Sequence, residues 1–163
     1  MDIEMGACFE FDLPNGMSLD KWKETAGIYD VMCDDSDARL RIEGVWPDMT
    51  HMAKPVVEAE QFRHRKEHIR SWIRDQKWLV TKPYAREPKV RVPCWTIECR
   101  TADREVFCAA IARNRGGVLE ITLEATSEPG ALRAFRRLVR AIRAPRLVTS
   151  LPKGRPPSGA RRG

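Results

Sequence analysis

The sequence predicts an α+β fold: a single antiparallel β-sheet with a long middle helix and a C-terminal helix packed on it. Three observations carry that prediction. Residues 95–100, 105–112 and 118–124 are short strand-like runs separated only by breaks at Ala102-Asp103 and Asn114-Arg115-Gly116-Gly117. Connections this short force antiparallel neighbours, because a parallel pair needs a long crossover, and Asn, Asp and Gly accept hairpin-turn angles. The runs alternate, with Leu119, Ile121 and Leu123 set against Glu120, Thr122 and Glu124, and Trp95, Ile97 and Cys99 set against Thr96, Glu98 and Arg100. Grouping Leu119, Ile121 and Leu123 with Trp95, Ile97 and Cys99 gives the sheet one clearly apolar face that needs a cover. Two stretches of helical periodicity supply covers.

In chain order, residues 8–13 alternate as a strand closed by Pro14-Asn15-Gly16. Ser18 caps a short helical turn through Trp22, interrupted by Gly27. Residues 28–33 and 38–45 form a second hairpin around the Asp34-Asp35-Ser36-Asp37 turn. A loop over 47–54 holds Met49 and Met52, and Pro55 opens a helix reaching about Lys77. Phe62, Ile69 and Ile73 make its apolar stripe, with Ala59 at the edge, Trp72 flanking it and Lys66 close by, either snorkelling outward or marking a shallow edge of the contact. Residues 78–81 read as a short strand. Residues 82–93, with Pro83, Pro88 and Pro93, read as an irregular connector with an edge strand at 90–92. After the three-strand meander, Ser127 caps a second helix with Pro129 in its first turn. Leu132, Phe135, Val139 and Ile142 form its stripe, and Pro145 ends it.

A chain of 163 residues with five Trp residues can bury a core without staples. The organisation expected is one domain over 1–146 and a basic Pro/Gly/Arg-rich disordered tail over 147–163. Five cysteines form no even disulfide framework, which points to a reducing compartment. The acidic start lacks an apolar run, and no window suits a spanning helix, so the expected location is cytoplasmic, without stable membrane insertion. The net charge of +6 is an uneven average. Residues 131–163 carry ten Lys/Arg and no acid, whereas residues 1–130 carry 19 Lys/Arg against 23 Asp/Glu.

Few stretches carry chemistry. His64-Arg65-Lys66-Glu67-His68 matches the H-x-x-E-H zinc peptidase pattern, in which two His one turn apart share a metal and Glu67 is the base. Both His fall opposite the apolar stripe, no third ligand is marked, and nearby cations repel a metal. Two exposed His on a charged helix is the simpler reading. Cys94 and Cys99 lack a C-x-x-C pair, and their odd and even register sends them to opposite sheet faces as core residues. No nucleophile elbow or phosphate-binding glycine loop occurs. No enzyme activity, metal or cofactor is therefore expected. Arg133, Arg136, Arg137, Arg140 and Arg143 gather opposite the apolar stripe as a basic patch suited to phosphates or an acidic protein. Trp46, Met49 and Met52 form an adaptable loop where a peptide can dock, or a plug for the core edge.

The layout over residues 8–142 resembles the PsbP-like fold shared by DcrB-type bacterial proteins, mostly through Gly117-Val-Leu-Glu-Ile-Thr-Leu-Glu-Ala125 and the helix carrying Phe135, Leu138, Val139 and Ile142. The early Leu13-Pro14 and Trp22 look like the opening of these proteins. Family members without an export signal include effector-associated chaperones of type VI secretion, which shield apolar segments of toxins. That likeness implies a protein client held along 28–33, with Ile28, Tyr29 and Val31 in the groove, and Asp30 interrupting it. The expected function is thus a non-enzymatic protein-binding module, a chaperone or adaptor for a secreted effector, with homodimerisation as a further option. An adaptor for nucleic acid or an acidic protein through the Arg face and tail is the alternative. A zinc hydrolase using His64 and His68 comes third.

Overall fold

The hairpin joining the last two long strands shows how locally this chain is specified. Asn114 pairs with Gly117, and the two residues between them, Arg115 (φ 51°) and Gly116 (φ 86°), are both left-handed. That is the two-residue turn whose twist matches its flanking strands. In the computed structural model, residues 2–5, 7–20, 27–46 and 54–146 are described. The strands are β1 (Asp2–Met5), β2 (Phe9–Asp12), β3 (Met17–Leu19), β4 (Ile28–Cys33), β5 (Ser36–Val45), β6 (Leu79–Arg86), β7 (Cys94–Arg100), β8 (Val106–Asn114), β9 (Gly117–Thr126) and β10 (Ile142–Arg143). The helices are α1 (Lys54–Gln76) and α2 (Ala131–Arg140). The tail over 147–163, Trp22, Met49 and Met52 lie outside the described residues.

The α+β class and the antiparallel pairing hold, but there are two sheets rather than one. Seven strands run in the order β3-β4-β5-β9-β8-β7-β6, and a separate three-stranded sheet runs β1-β2-β10. The reason lies just after α2. Ala141 caps the helix through its N–H to the Leu138 carbonyl at 3.1 Å, and the chain then extends so that Ile142 pairs with Phe11 and Arg143 with Glu10. Ile142 therefore belongs to a strand, not the helical stripe, and Pro145 does not end the helix.

Register corrects the single apolar face. Trp95, Ile97 and Cys99 stand opposite Ile111, Ala109 and Phe107, whereas Leu119, Ile121 and Leu123 stand opposite Ala112, Ala110 and Cys108. The two apolar sets lie on opposite faces. Each face has its own cover. Ile69 and Ile73 of α1 are buried against Ile97, Phe107 and Ile111. Phe135, Leu138 and Val139 of α2, with Met5, Phe9 and Phe11 of the small sheet, bury Leu40, Ile42, Leu119, Ile121 and Leu123. Each large side chain so buried contributes about 1.5–3 kcal/mol of transfer free energy. Close approach fixes the small sheet in place: a Cβ on Gly117 would lie 2.7 Å from Cys8 Cβ, and one on Gly44 2.7 Å from Met5 Cε.

Other elements differ from expectation. Ser18 is in strand β3, paired with Met32, and caps no helical turn. β6 spans eight residues through Pro83, and two register shifts against β7 accommodate the proline on this edge strand. Val90 and Val92 are buried in the core but form no strand. The cap of α2 is Gly130 at φ 81°, with no side-chain cap; Ser127 lies in the connection before it. Ala59 is exposed rather than at a buried edge. Among the described residues no helix is long and apolar enough to cross a membrane.

Candidate functional site

On the face that α1 covers, the helix packs over β8 and β9. A groove of about 680 Å³ opens between Trp72 of α1 and the strands β4, β5 and β9. Strand alternation sets its floor. Asp30 faces Arg41 across β4 and β5, with Asp30 Oδ1 2.9 Å from Arg41 Nε, and Arg41 in turn faces Thr122 of β9. That contact strengthens the Arg41 guanidinium's hold on its proton. Arg39 and Glu124 add a looser, exposed pair at 3.8 Å. The wall is aromatic. Trp72, 41% exposed, meets Phe107 edge-on at 5.3 Å and tilts onto Trp78 at 5.6 Å, and Met32, 47% exposed, also lines the groove. A half-exposed Trp beside an exposed Met and a polar floor suits a peptide with one apolar face.

Among the expected client-contacting residues, Val31 lines this groove, yet its side chain is buried in the core on the other face. Tyr29 and Trp46 are half-buried against that same core, and Ile28 is half-buried outside the groove lining. Strand 28–33 borders this groove and contributes Asp30, Val31, Met32 and Cys33 to its lining. Trp72 was visible in the sequence as the flank of the α1 stripe. Met32 of β4 and the Arg39 and Arg41 row of β5 carried no motif; alternation placed only Arg39 and Arg41 on one face.

The five arginines separate. Arg136 donates to Glu98, whose side chain is 7% exposed, at 2.7 and 3.0 Å. Arg137 donates to the Asn15 carbonyl at 3.0 Å. Arg143, on β10 rather than α2, donates to Glu10 at 2.8 Å. Arg133 and Arg140 are exposed on α2. On α1, Arg65 reaches inward to Glu120 at 3.1 Å and Glu43 at 3.6 Å, an ion cluster the sequence did not reveal. Lys66 sits over the Tyr84 ring at 5.0 Å.

His64 and His68 are both exposed, Glu67 pairs with Arg63 at 3.6 Å, and His68 leans on Trp72 at 6.2 Å. Among the described residues no three metal-ligating side chains converge. Cys94 and Cys99 lie in the two different cores, on opposite faces as their register required. Burial pushes the Cys94 thiol up to about 12 and the Cys99 thiol to about 11.

No protein-family model and no curated protein matches the chain. Among solved structures, the chain is similar to cyanobacterial PsbP from Synechocystis sp. PCC 6803, at 15% identity and a TM-score of 0.48 over 84% of this chain and 86% of that one. It is similar to LpqN of Mycobacterium tuberculosis, described as involved in cell envelope biogenesis, at 8% identity and a TM-score of 0.43 over 87% and 88%. A Bacteroides thetaiotaomicron VPI-5482 protein aligns at 9% identity and a TM-score of 0.51 over 85% of this chain and 46% of that one. This last likeness is one of fold alone.

Proposed function

We propose that this protein is a non-enzymatic binding module that holds a partner polypeptide in the groove beside Trp72. The finer reading is a chaperone or adaptor for a secreted bacterial effector, shielding a client segment before export. The observation that carries the proposal is the exposed Trp72 and Met32 on one groove of about 680 Å³. A buried aromatic anchor in such a pocket supplies most of the affinity of a typical peptide contact. The charged rows of β4 and β5 set the orientation of the bound segment rather than its affinity.

The test is a binding titration with synthetic amphipathic and apolar helical peptides, followed by Trp fluorescence. Trp72→Ala and Met32→Asp are expected to weaken binding by at least about tenfold, as loss of a hot-spot side chain does. Arg133→Ala is expected to leave it unchanged. Equal binding to the parent and to Trp72→Ala would exclude this groove as the docking site.

A further inference from the structure

On the opposite face of the large sheet, a second cavity of about 140 Å³ lies between α2 and strands β6 and β7. That volume is close to the roughly 150 Å³ that admits a benzene-sized molecule, but this lining is polar. Its floor is Thr96, 3% exposed, which faces Ala85 of β6 and Ala110 of β8. Neither neighbour's side chain carries a polar atom to pair with its hydroxyl. Thr96 Oγ1 is buried and has no hydrogen-bond partner among the described residues. An orphaned buried hydroxyl is costly unless something in the cavity takes its hydrogen bond.

The charges around it are unequal. Arg136 and Glu98 satisfy each other through two hydrogen bonds. Lys82 Nζ is 3.7 Å from Glu87, too far for a good hydrogen bond. Arg140, one turn beyond Arg136, lines the cavity with no carboxylate partner among the described residues. Three cations therefore meet two carboxylates around a hydroxyl that lacks a partner.

We propose that this cavity binds a small oxyanion, with the Thr96 hydroxyl and the Arg140 guanidinium as its donors and Lys82 adding charge. Phosphate and a short carboxylate share this chemistry. Glu98 acts by position: it holds Arg136 to the wall, so that Arg140 is the guanidinium left to meet the ligand.

The experiment is an NMR titration of the full chain with inorganic phosphate and, in a separate arm, acetate, each at constant ionic strength. Saturating shifts are expected at Thr96, Arg136 and Arg140, and the arm that saturates at lower concentration identifies the anion. Thr96→Val and Arg140→Gln are each expected to weaken binding about tenfold, as loss of a charge-assisted hydrogen bond does. Thr96→Ser, which keeps the hydroxyl, is expected to retain it, and it covers the case in which Val disturbs packing. Shifts that stay linear in both arms, or that are identical in Arg140→Gln, overturn the proposal and leave a water-filled cavity. Trp72→Ala is expected to leave this site intact, so the groove and the cavity stand or fall separately.

Discussion

Glu98 and Arg136 meet in a two-pronged contact, Nη2 to Oε1 at 2.7 Å and Nε to Oε2 at 3.0 Å, on the side of the sheet covered by α2. Only Arg136 reaches solvent appreciably. Removing the guanidinium leaves a buried carboxylate without its partner. Arg136→Met is therefore expected to lower the unfolding free energy by about 2–4 kcal/mol, below the top of the range for fully buried pairs. The double variant with Glu98→Met should recover most of that loss in urea denaturation. A double-variant loss equal to the sum of the Arg136→Met and Glu98→Met losses would show that the pair is not coupled.

Two carboxylates give opposite pH dependences. Burial raises the Glu120 carboxyl above the ordinary glutamate value, with Arg65 pulling it back and Glu43 adding to the rise. The native state thus holds this proton more tightly than the unfolded chain, and stability falls as pH climbs from the ordinary range through the native value. Glu10 behaves the other way. The Arg143 hydrogen bond lowers it, so its contribution is present above the ordinary range and is lost on acidification. Denaturation series over pH should show the neutral-side decline flattened in Glu120→Gln and the acid-side decline flattened in Glu10→Gln.

Gly117 opens β9 against the loop at Cys8. A methyl group there would sit 2.7 Å from Cys8 Cβ and 2.8 Å from its sulfur, both in the core. Gly117→Ala is expected to destabilise by about 1–3 kcal/mol through overpacking. Adding Cys8→Ala would keep the Cβ contact, so the thermal midpoint should recover only in part.

The thiols should divide by burial. Cys8, Cys94, Cys99 and Cys108 are buried, and burial also raises Cys108. Cys33 is half-buried, with its thiol raised by burial and by Asp35. A thiol reagent at neutral pH should modify Cys33 alone on the native protein and all five cysteines once it is unfolded. Rapid native modification of Cys94 would contradict its place in the core.

Local signals made the meander, both hairpins and the extent of α1 legible, because turn chemistry and periodicity act over a few residues. Register was not legible. Alternation places Leu119 and Ile121 together, but nothing in the sequence states whether Trp95 joins them; only the pairing of β7 with β8 decides it. The same limit hid the site. Asp30 looked like an interruption of an apolar strand until Arg41 appeared beside it. Arg136 and Arg143 looked like a solvated basic face, because their carboxylates lie 38 and 133 residues away in sequence. β10 escaped detection because two residues are too few to show a period.

The three-stranded sheet draws on both ends of the described chain, since β2 gains its second neighbour only when Ile142 and Arg143 arrive. During synthesis, the ribosome delivers Phe9 and Phe11 more than a hundred residues before that neighbour exists. The segment holding Phe9 and Phe11 must wait with its aromatic side chains unclaimed, and closure of this sheet becomes a late event that depends on residues 142 and 143.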